Sequence, residues 1–245
     1  METIKEIQKW FPPCRRRPTL RANMLQMRTL VASIRFMLTP SGESGIETAF
    51  CIAAELSPYV LDVGTQLFTC EVRDDDGVFT YTPDAVVLTC LGACVVECKP
   101  FWKRADVAWG ARCNRLHDYF ATYGLRFVII DELDVFGSTL RNNLAWLWHL
   151  RRAMEFEPAA DRLVGMLHEG GALTIDTALS RGFTRFQIGH ALATRRCFAN
   201  LHHELGGDAL LRPAPYGDYR DLLSKLAITN ASDLRYVIPL EEEYQ

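Results

Sequence analysis

With 245 residues, 49% of them hydrophobic and 23% charged, the chain is long enough for a sizeable core plus a smaller second domain and too apolar for gross disorder. No apolar run approaches the roughly 18 residues that span a bilayer, and no signal segment opens the chain, so the expectation is an intracellular, cytoplasmic protein with no membrane partner. The net charge of −3 hides an asymmetry: residues 1–40 carry eight Lys or Arg against two Glu, which leaves −9 on the rest.

Residues 1–40 mix basic and apolar positions around Pro12, Pro13 and Pro18 and read as a basic N-terminal arm. Its run Arg15, Arg16, Arg17, followed by Arg21, Arg28 and Arg35, suits either phosphate contacts or a merely solvated arm. A turn over 40–45 then precedes a stripe at Ile46, Phe50, Ala53 and Ala54, whose spacing predicts a helix from about Ser44 to just before Pro58, with Glu47 in its first turn.

"YVLDVGTQLFTCEV" and "GVFTYTP" read as strands joined by the acidic turn Asp74, Asp75, Asp76, Gly77. "DAVVLTC" and "ACVVECK" follow, apolar on both faces as central strands are. The segment "RADVAWGARCNRLHDYFATYG" predicts a helix with Trp109, Cys113, Leu116, Phe120 and Tyr123 on one face and Gly124 as its stop, and "LRFVIID" is another buried strand. A strand–helix–strand crossover therefore completes an α/β core over 41–137.

Residues 138–157 predict a connecting helix, with Pro158 as the boundary of a C-terminal domain over 158–245. That domain shows three short helices with turns at Gly170, Gly171 and Gly182. The glycine pair 206–207 and the strand-like "RYVIPL" would form a small wing, so the expectation is winged-helix-like. Arg185, Arg195 and Arg196, with no acid between residues 181 and 203, could face phosphates, although many such helices dock proteins instead. The eight cysteines include no C-x-x-C and read as reduced core thiols. "HHE" at 202–204 reads as surface.

The chemistry concentrates in "YTPDAVVLTCLGACVVECKP". If Leu91 and Gly92 form a two-residue turn, Asp84 lies opposite Lys99 and Val86 opposite Glu97. With side chains alternating, Asp84, Glu97 and Lys99 then project from one face at the open end of the hairpin. Two carboxylates and an ammonium there suit a hard cation such as Mg²⁺, with the lysine orienting water or offsetting charge on phosphate, and Glu47 supplies a further carboxylate for one or two ions. An isolated E-x-K would more often be a surface ion pair. Here it follows "PD" after a hairpin, with a helix-borne glutamate upstream.

This constellation resembles the PD-(D/E)XK nucleases, and in detail the TnsA-type endonuclease subunits of Tn7-like heteromeric transposases, carried by "SGIETAF", "YTPDAVV", "VVECKP" and, more weakly, "LRNNLAWL" over roughly residues 28–150. The resemblance implies a restriction-endonuclease-like α/β core, a mixed sheet flanked by helices, with a small winged-helix-like C-terminal domain. It implies a catalytic centre of Glu47, Asp84, Glu97 and Lys99, with Glu47, Asp84 and Glu97 as ligands of Mg²⁺, for which Mn²⁺ substitutes. It also implies cleavage of the 5′ strands at double-stranded transposon ends during cut-and-paste transposition. The partners would be a TnsB-like transposase that handles the 3′ strands and a TnsC-like ATPase regulator, in a bacterial protein that is nucleoid-associated when assembled. A stand-alone restriction or repair endonuclease, or a non-catalytic adaptor between transposase and DNA, are the rival readings.

Overall fold

The computed structural model describes residues 29–36, 39–74, 77–215 and 224–227. Arg15, Arg16, Arg17, Arg21 and Arg28, the wing segment "RYVIPL" and the acidic tail lie outside the described residues. The chain forms two compact units, one of Met1–Cys51, Tyr59–Leu133 and Lys225–Gln245, the other of Ile52–Pro58 and Asp134–Ser224.

In the first unit β1 (Thr29–Leu30) pairs antiparallel with β2 (Ser41–Gly42); α1 spans Gly45–Leu56, its residues from Ile52 onward belonging to the second unit. The Ser44 hydroxyl accepts the Glu47 amide at 3.2 Å, a side-chain cap that fixes the start of the helix, and the predicted stripe of Ile46, Phe50, Ala53 and Ala54 is buried. Gly42 permits the tight entry, since a Cβ there would stand 2.7 Å from the Thr48 backbone nitrogen.

The strand expected across residues 59–72 is two strands. After β3 (Val60–Thr65), Gln66 adopts φ 48° and Leu67 folds back over Gly64, where a Cβ would meet its side chain at 2.5 Å. The chain then enters β4 (Cys70–Asp74), which pairs with β5 (Gly77–Tyr81) as a separate ribbon. β6 (Ala85–Thr89) and β7 (Gly92–Cys98) form the central hairpin. α2 (Val107–Ala121) crosses over to β8 (Arg126–Ile130), which lies parallel to β7, giving a mixed four-stranded sheet of order β3-β6-β7-β8. Asp106 caps α2 by accepting the Trp109 amide at 3.0 Å, and Gly124, at φ 69°, ends it. Cys113, Leu116 and Phe120 of α2 pack with Val86, Val95 and Phe127 in the core, whereas Tyr123, expected on the same face, is exposed.

The hairpin register differs from expectation by two residues. Thr89 pairs with Gly92 and Val86 with Val95, so Cys90 and Leu91 make the turn. A two-residue turn at Leu91 and Gly92 would, in either of the types that hairpins favour, put positive φ on Leu91, which only glycine takes without strain. Here only Gly92 does, at 107°, while the Thr89 hydroxyl closes the turn by donating to the Gly92 carbonyl at 2.7 Å. A shift of two leaves every side chain on its expected face.

α3 (Glu132–Val135) follows β8, and the second unit then builds α4 (Ser138–Leu150) and α5 (Glu157–Gly170). Pro158, expected at a domain boundary, sits in the first turn of α5, where its missing amide leaves no hydrogen bond unmade. α4, expected as a connector, belongs to this unit. β9 (Leu173–Thr174), α6 (Ile175–Ser180), α7 (Arg185–Ala193) and β10 (Leu210–Leu211) complete it, with β9 and β10 antiparallel and Phe198 bridged to Arg212. Gly206 and Gly207 lie on the loop into β10, and Gly207 packs so closely on Asp176 that a Cβ would stand 2.3 Å from the carboxylate. Among the described residues no helix is long and apolar enough to cross a membrane.

Candidate active site

Ala85 and Val96 are the last ladder pair of the central hairpin, so Asp84 and Glu97 come next, opposite one another. Beyond them the strands part. The Cys98 amide donates to Asp84 Oδ2 at 2.7 Å in place of a main-chain partner, and the Lys99 amide donates across to the Ile130 carbonyl at 2.9 Å. The lysine is thus held to the neighbouring parallel strand while its side chain turns back toward the hairpin. Lys99 Nζ lies 2.9 Å from Glu97 Oε1 and 3.8 Å from Asp84 Oδ2. The Tyr81 hydroxyl, arriving from β5, donates to Glu97 Oε2 at 2.7 Å.

Glu47 enters from the first turn of α1, where its Oε2 accepts the Glu43 amide at 2.9 Å. That bond belongs to the capping of the helix, so one oxygen of Glu47 is structurally committed and Oε1 is not, among the described residues. Its charge still reaches the site, raising the proton affinity of Asp84, Cys98 and Lys99. The structure therefore brings Glu47, Asp84, Glu97 and Lys99 into one electrostatic cluster.

Three carboxylates face one ammonium in a site where Glu97 is only 10% and Asp84 only 14% exposed in the side chain. Burial, then the Glu97 charge, pushes Asp84 up to about 7 from the ordinary 3.8, with Lys99 and the Cys98 amide opposing. For Lys99, burial favours the neutral amine, but Glu97, Asp84 and Glu47 outweigh it and hold the side chain charged. Tyr81 is pushed well above the ordinary phenol range by burial and then by Glu97, so its proton stays on the oxygen.

No group of three or more His, Cys, Asp or Glu side chains among the described residues is gathered as a ready-made metal site. Glu97 is turned to Lys99 and Tyr81, and Glu47 to Glu43. The donor chemistry and the charge nevertheless fit a hard divalent ion: the carboxylates offer oxygen donors, three of them face one ammonium, and burial, then the Glu97 charge, raises the proton affinity of Asp84.

The arginines assigned to DNA in the second unit are engaged within it. Arg196 pairs with Glu157 at 2.5 Å and with Asp161. Arg195 takes φ 59°, and its burial, which disfavours the charge, is only partly opposed by Glu55. Arg185 is exposed, and its guanidinium donates to the Leu205 carbonyl at 2.5 Å. α7 itself is buried at every position over 188–193, with Gly189 so close to Trp146 and Leu150 of α4 that a Cβ would meet them at 2.7 and 2.4 Å. A helix covered that fully has no side left for a DNA groove beyond its first turn.

Tyr81 is the site residue that sequence reasoning missed. It stands three positions before Asp84, and nothing in that spacing announces that a tyrosine from the separate β4–β5 ribbon will reach Glu97. Six of the seven described cysteines, Cys51, Cys70, Cys94, Cys98, Cys113 and Cys197, are buried as expected of core thiols, whereas Cys90 departs from that expectation and is exposed at the hairpin turn. No protein-family model matches the chain and no curated protein matches it either, so function has to be argued from this cluster itself.

Proposed function

We propose that the chain is a Mg²⁺-dependent DNA endonuclease of the PD-(D/E)XK type, acting as a TnsA-like subunit that cleaves the 5′ strands at transposon ends. One observation carries the reading: Asp84, Glu97 and Lys99 stand together at the parting end of the central hairpin, on the face that also receives the charge of Glu47. Asp84, Glu97 and Glu47 would hold one or two Mg²⁺, with Mn²⁺ substituting, and the bound ion would polarise the phosphoryl oxygens and acidify a water. Lys99 supplies the positive charge of the chain's own machinery. Kept as an ammonium by its carboxylates, it can donate to the attacking water and to the phosphoryl oxygens on which charge builds.

In the second unit, three helices with a small antiparallel ribbon and the Phe198–Arg212 bridge support a winged-helix-like reading. The coverage of α7 speaks against groove reading by that helix; a TnsB-like transposase and a TnsC-like ATPase as partners rest on the resemblance alone.

The test is strand-resolved cleavage of transposon-end DNA with Mg²⁺, with and without a co-purified partner transposase. Nicks confined to the 5′ strands are expected, and Asp84→Ala should lower their rate by more than about 100-fold. Cutting at internal sites without any partner would favour the stand-alone endonuclease. Absence of cutting in both arms would leave the adaptor.

A further inference from the structure

Glu97 is gripped from both sides: Lys99 holds Oε1 at 2.9 Å and Tyr81 holds Oε2 at 2.7 Å. We propose that Tyr81 is the positioning residue of this site, fixing the rotation of the Glu97 carboxylate so that Oε1 alone is presented to Lys99 and to the ion. The inference rests on the metal-nuclease reading above.

The tyrosine is built to hold still. It is 5% exposed, its ring meets Phe120 edge-on at 5.9 Å and Phe127 edge-on at 6.2 Å, and its backbone is paired with Cys70 in the β4–β5 ribbon. A phenol has one proton to donate, and here it is spent on a carboxylate. Carboxylate torsions are broad and nearly two-fold, so a glutamate at a strand end does not choose between its oxygens unaided. A fixed donor on one oxygen makes that choice, and partners that orient a ligand in this way typically set 10–100-fold in metal affinity. The consequence is a division of labour within one side chain, with Oε2 serving the fold and Oε1 the chemistry.

Tyr81→Phe removes the hydroxyl and keeps the ring against Phe120 and Phe127. Calorimetric titration with Mn²⁺ should show affinity lowered about 10-fold or more, and the Mg²⁺ concentration for half-maximal cleavage should rise in parallel. Affinity for DNA measured without metal should not change, whereas a general loosening of the core would lower it as well. A measurement on wild-type protein stands beside this one in case the variant folds poorly: with tyrosine labelled at ¹³Cζ, Mn²⁺ should broaden the Tyr81 resonance before those of the other tyrosines. Wild-type Mn²⁺ affinity in folded Tyr81→Phe overturns the proposal alone, as does a Tyr81 signal that broadens no earlier than the rest. If wild-type protein neither binds Mn²⁺ nor cuts DNA, the nuclease reading falls and the proposal falls with it.

Discussion

Buried charge is handled in opposite ways in the two units. In the second, Glu157 accepts Arg196 and faces His190 Nε2 at 3.4 Å, Asp161 takes the other side of Arg196, and Glu55 partly opposes the loss of charge that burial imposes on Arg151 and Arg195. Each of these acids there stands against at least one base of its own. At the end of the central hairpin Glu47, Asp84 and Glu97 share one lysine, and burial together with the neighbouring carboxylates pushes Asp84 up to about 7. A matched network is what packing polar groups requires, because each charge left unpaired costs several kcal/mol. An unmatched one works against the fold, and proteins keep such arrangements mainly where a ligand or a reaction uses them. The comparison sets an acid-rich cluster at the hairpin, where the proposed chemistry lies, apart from arginines that are engaged within the second unit, although the amino-acid types alone invited a DNA role for both.

The sharpest way to break this contrast is Lys99→Ala. Losing the one ammonium should lower cleavage by roughly 100-fold or more, while the surfaces used for assembly persist. If a partner joins the 3′ ends, transposition then continues with the 5′ strands uncut: simple insertions fall and fused donor–target molecules rise. Sequencing across both junctions reads the ratio, and mostly simple insertions would show that the lysine is dispensable or that another nuclease frees the 5′ strands.

Gly189→Ala probes the other side. The added methyl must displace Trp146 and Leu150 inside a packed unit, at a cost of about 1–3 kcal/mol. Thermal unfolding should register that loss in protein whose Mg²⁺-supported cleavage, measured well below the transition, is retained. An equal loss of cleavage there would mean that the chemistry depends on the second unit.

Asp84→Asn sharpens the contrast through pH. The folded value near 7 lies above the ordinary 3.8, so between these values the folded state binds the proton more tightly than the unfolded chain. The contribution of this group to stability is present at acid pH and is lost as pH rises through 7. The neutral amide escapes that loss but also gives up the attraction of Lys99, so the variant should be more stable than wild type at pH 8, by up to about 4 kcal/mol. The gap should close toward pH 4, and an advantage that does not vary with pH would sink the account of the surplus charge.

The smallest effect belongs to Arg196→Ala. Its partners are partly exposed, so stability should fall by no more than about 1 kcal/mol. The slope of log affinity for DNA against log salt should stay as it is, whereas each phosphate contact removed would flatten it by about 0.9. The same assay on the triple variant Arg15→Ala, Arg16→Ala, Arg17→Ala asks whether the basic arm supplies the contacts that Arg196 does not.

Much of the core was legible because its signals are local. A serine three residues before a glutamate and an apolar stripe of three-and-four spacing fix α1; three apolar runs and a helix of matching period fix β6, β7, β8 and α2. The shared face of Asp84, Glu97 and Lys99 survived an incorrect turn because side chains alternate with period two and the slip was even.

What sequence determined, then, was which residues form helix or strand and which share a face, since both follow from steric preferences acting over a few residues. Tertiary structure alone decided where the hairpin turns, that the strand after Gln66 leaves the sheet, that one oxygen of Glu47 goes to Glu43, that Tyr81 reaches Glu97, and that α7 is covered by α4 while Arg196 is taken by Glu157 and Asp161. The turn and the Glu47 bond are short-range, yet each is one of several local options that only surrounding packing selects. The contacts among the others join residues from 16 to 43 positions apart in the chain, and a long-range contact leaves no periodic trace in a single sequence because its two ends are brought together only by the collapse of everything between them.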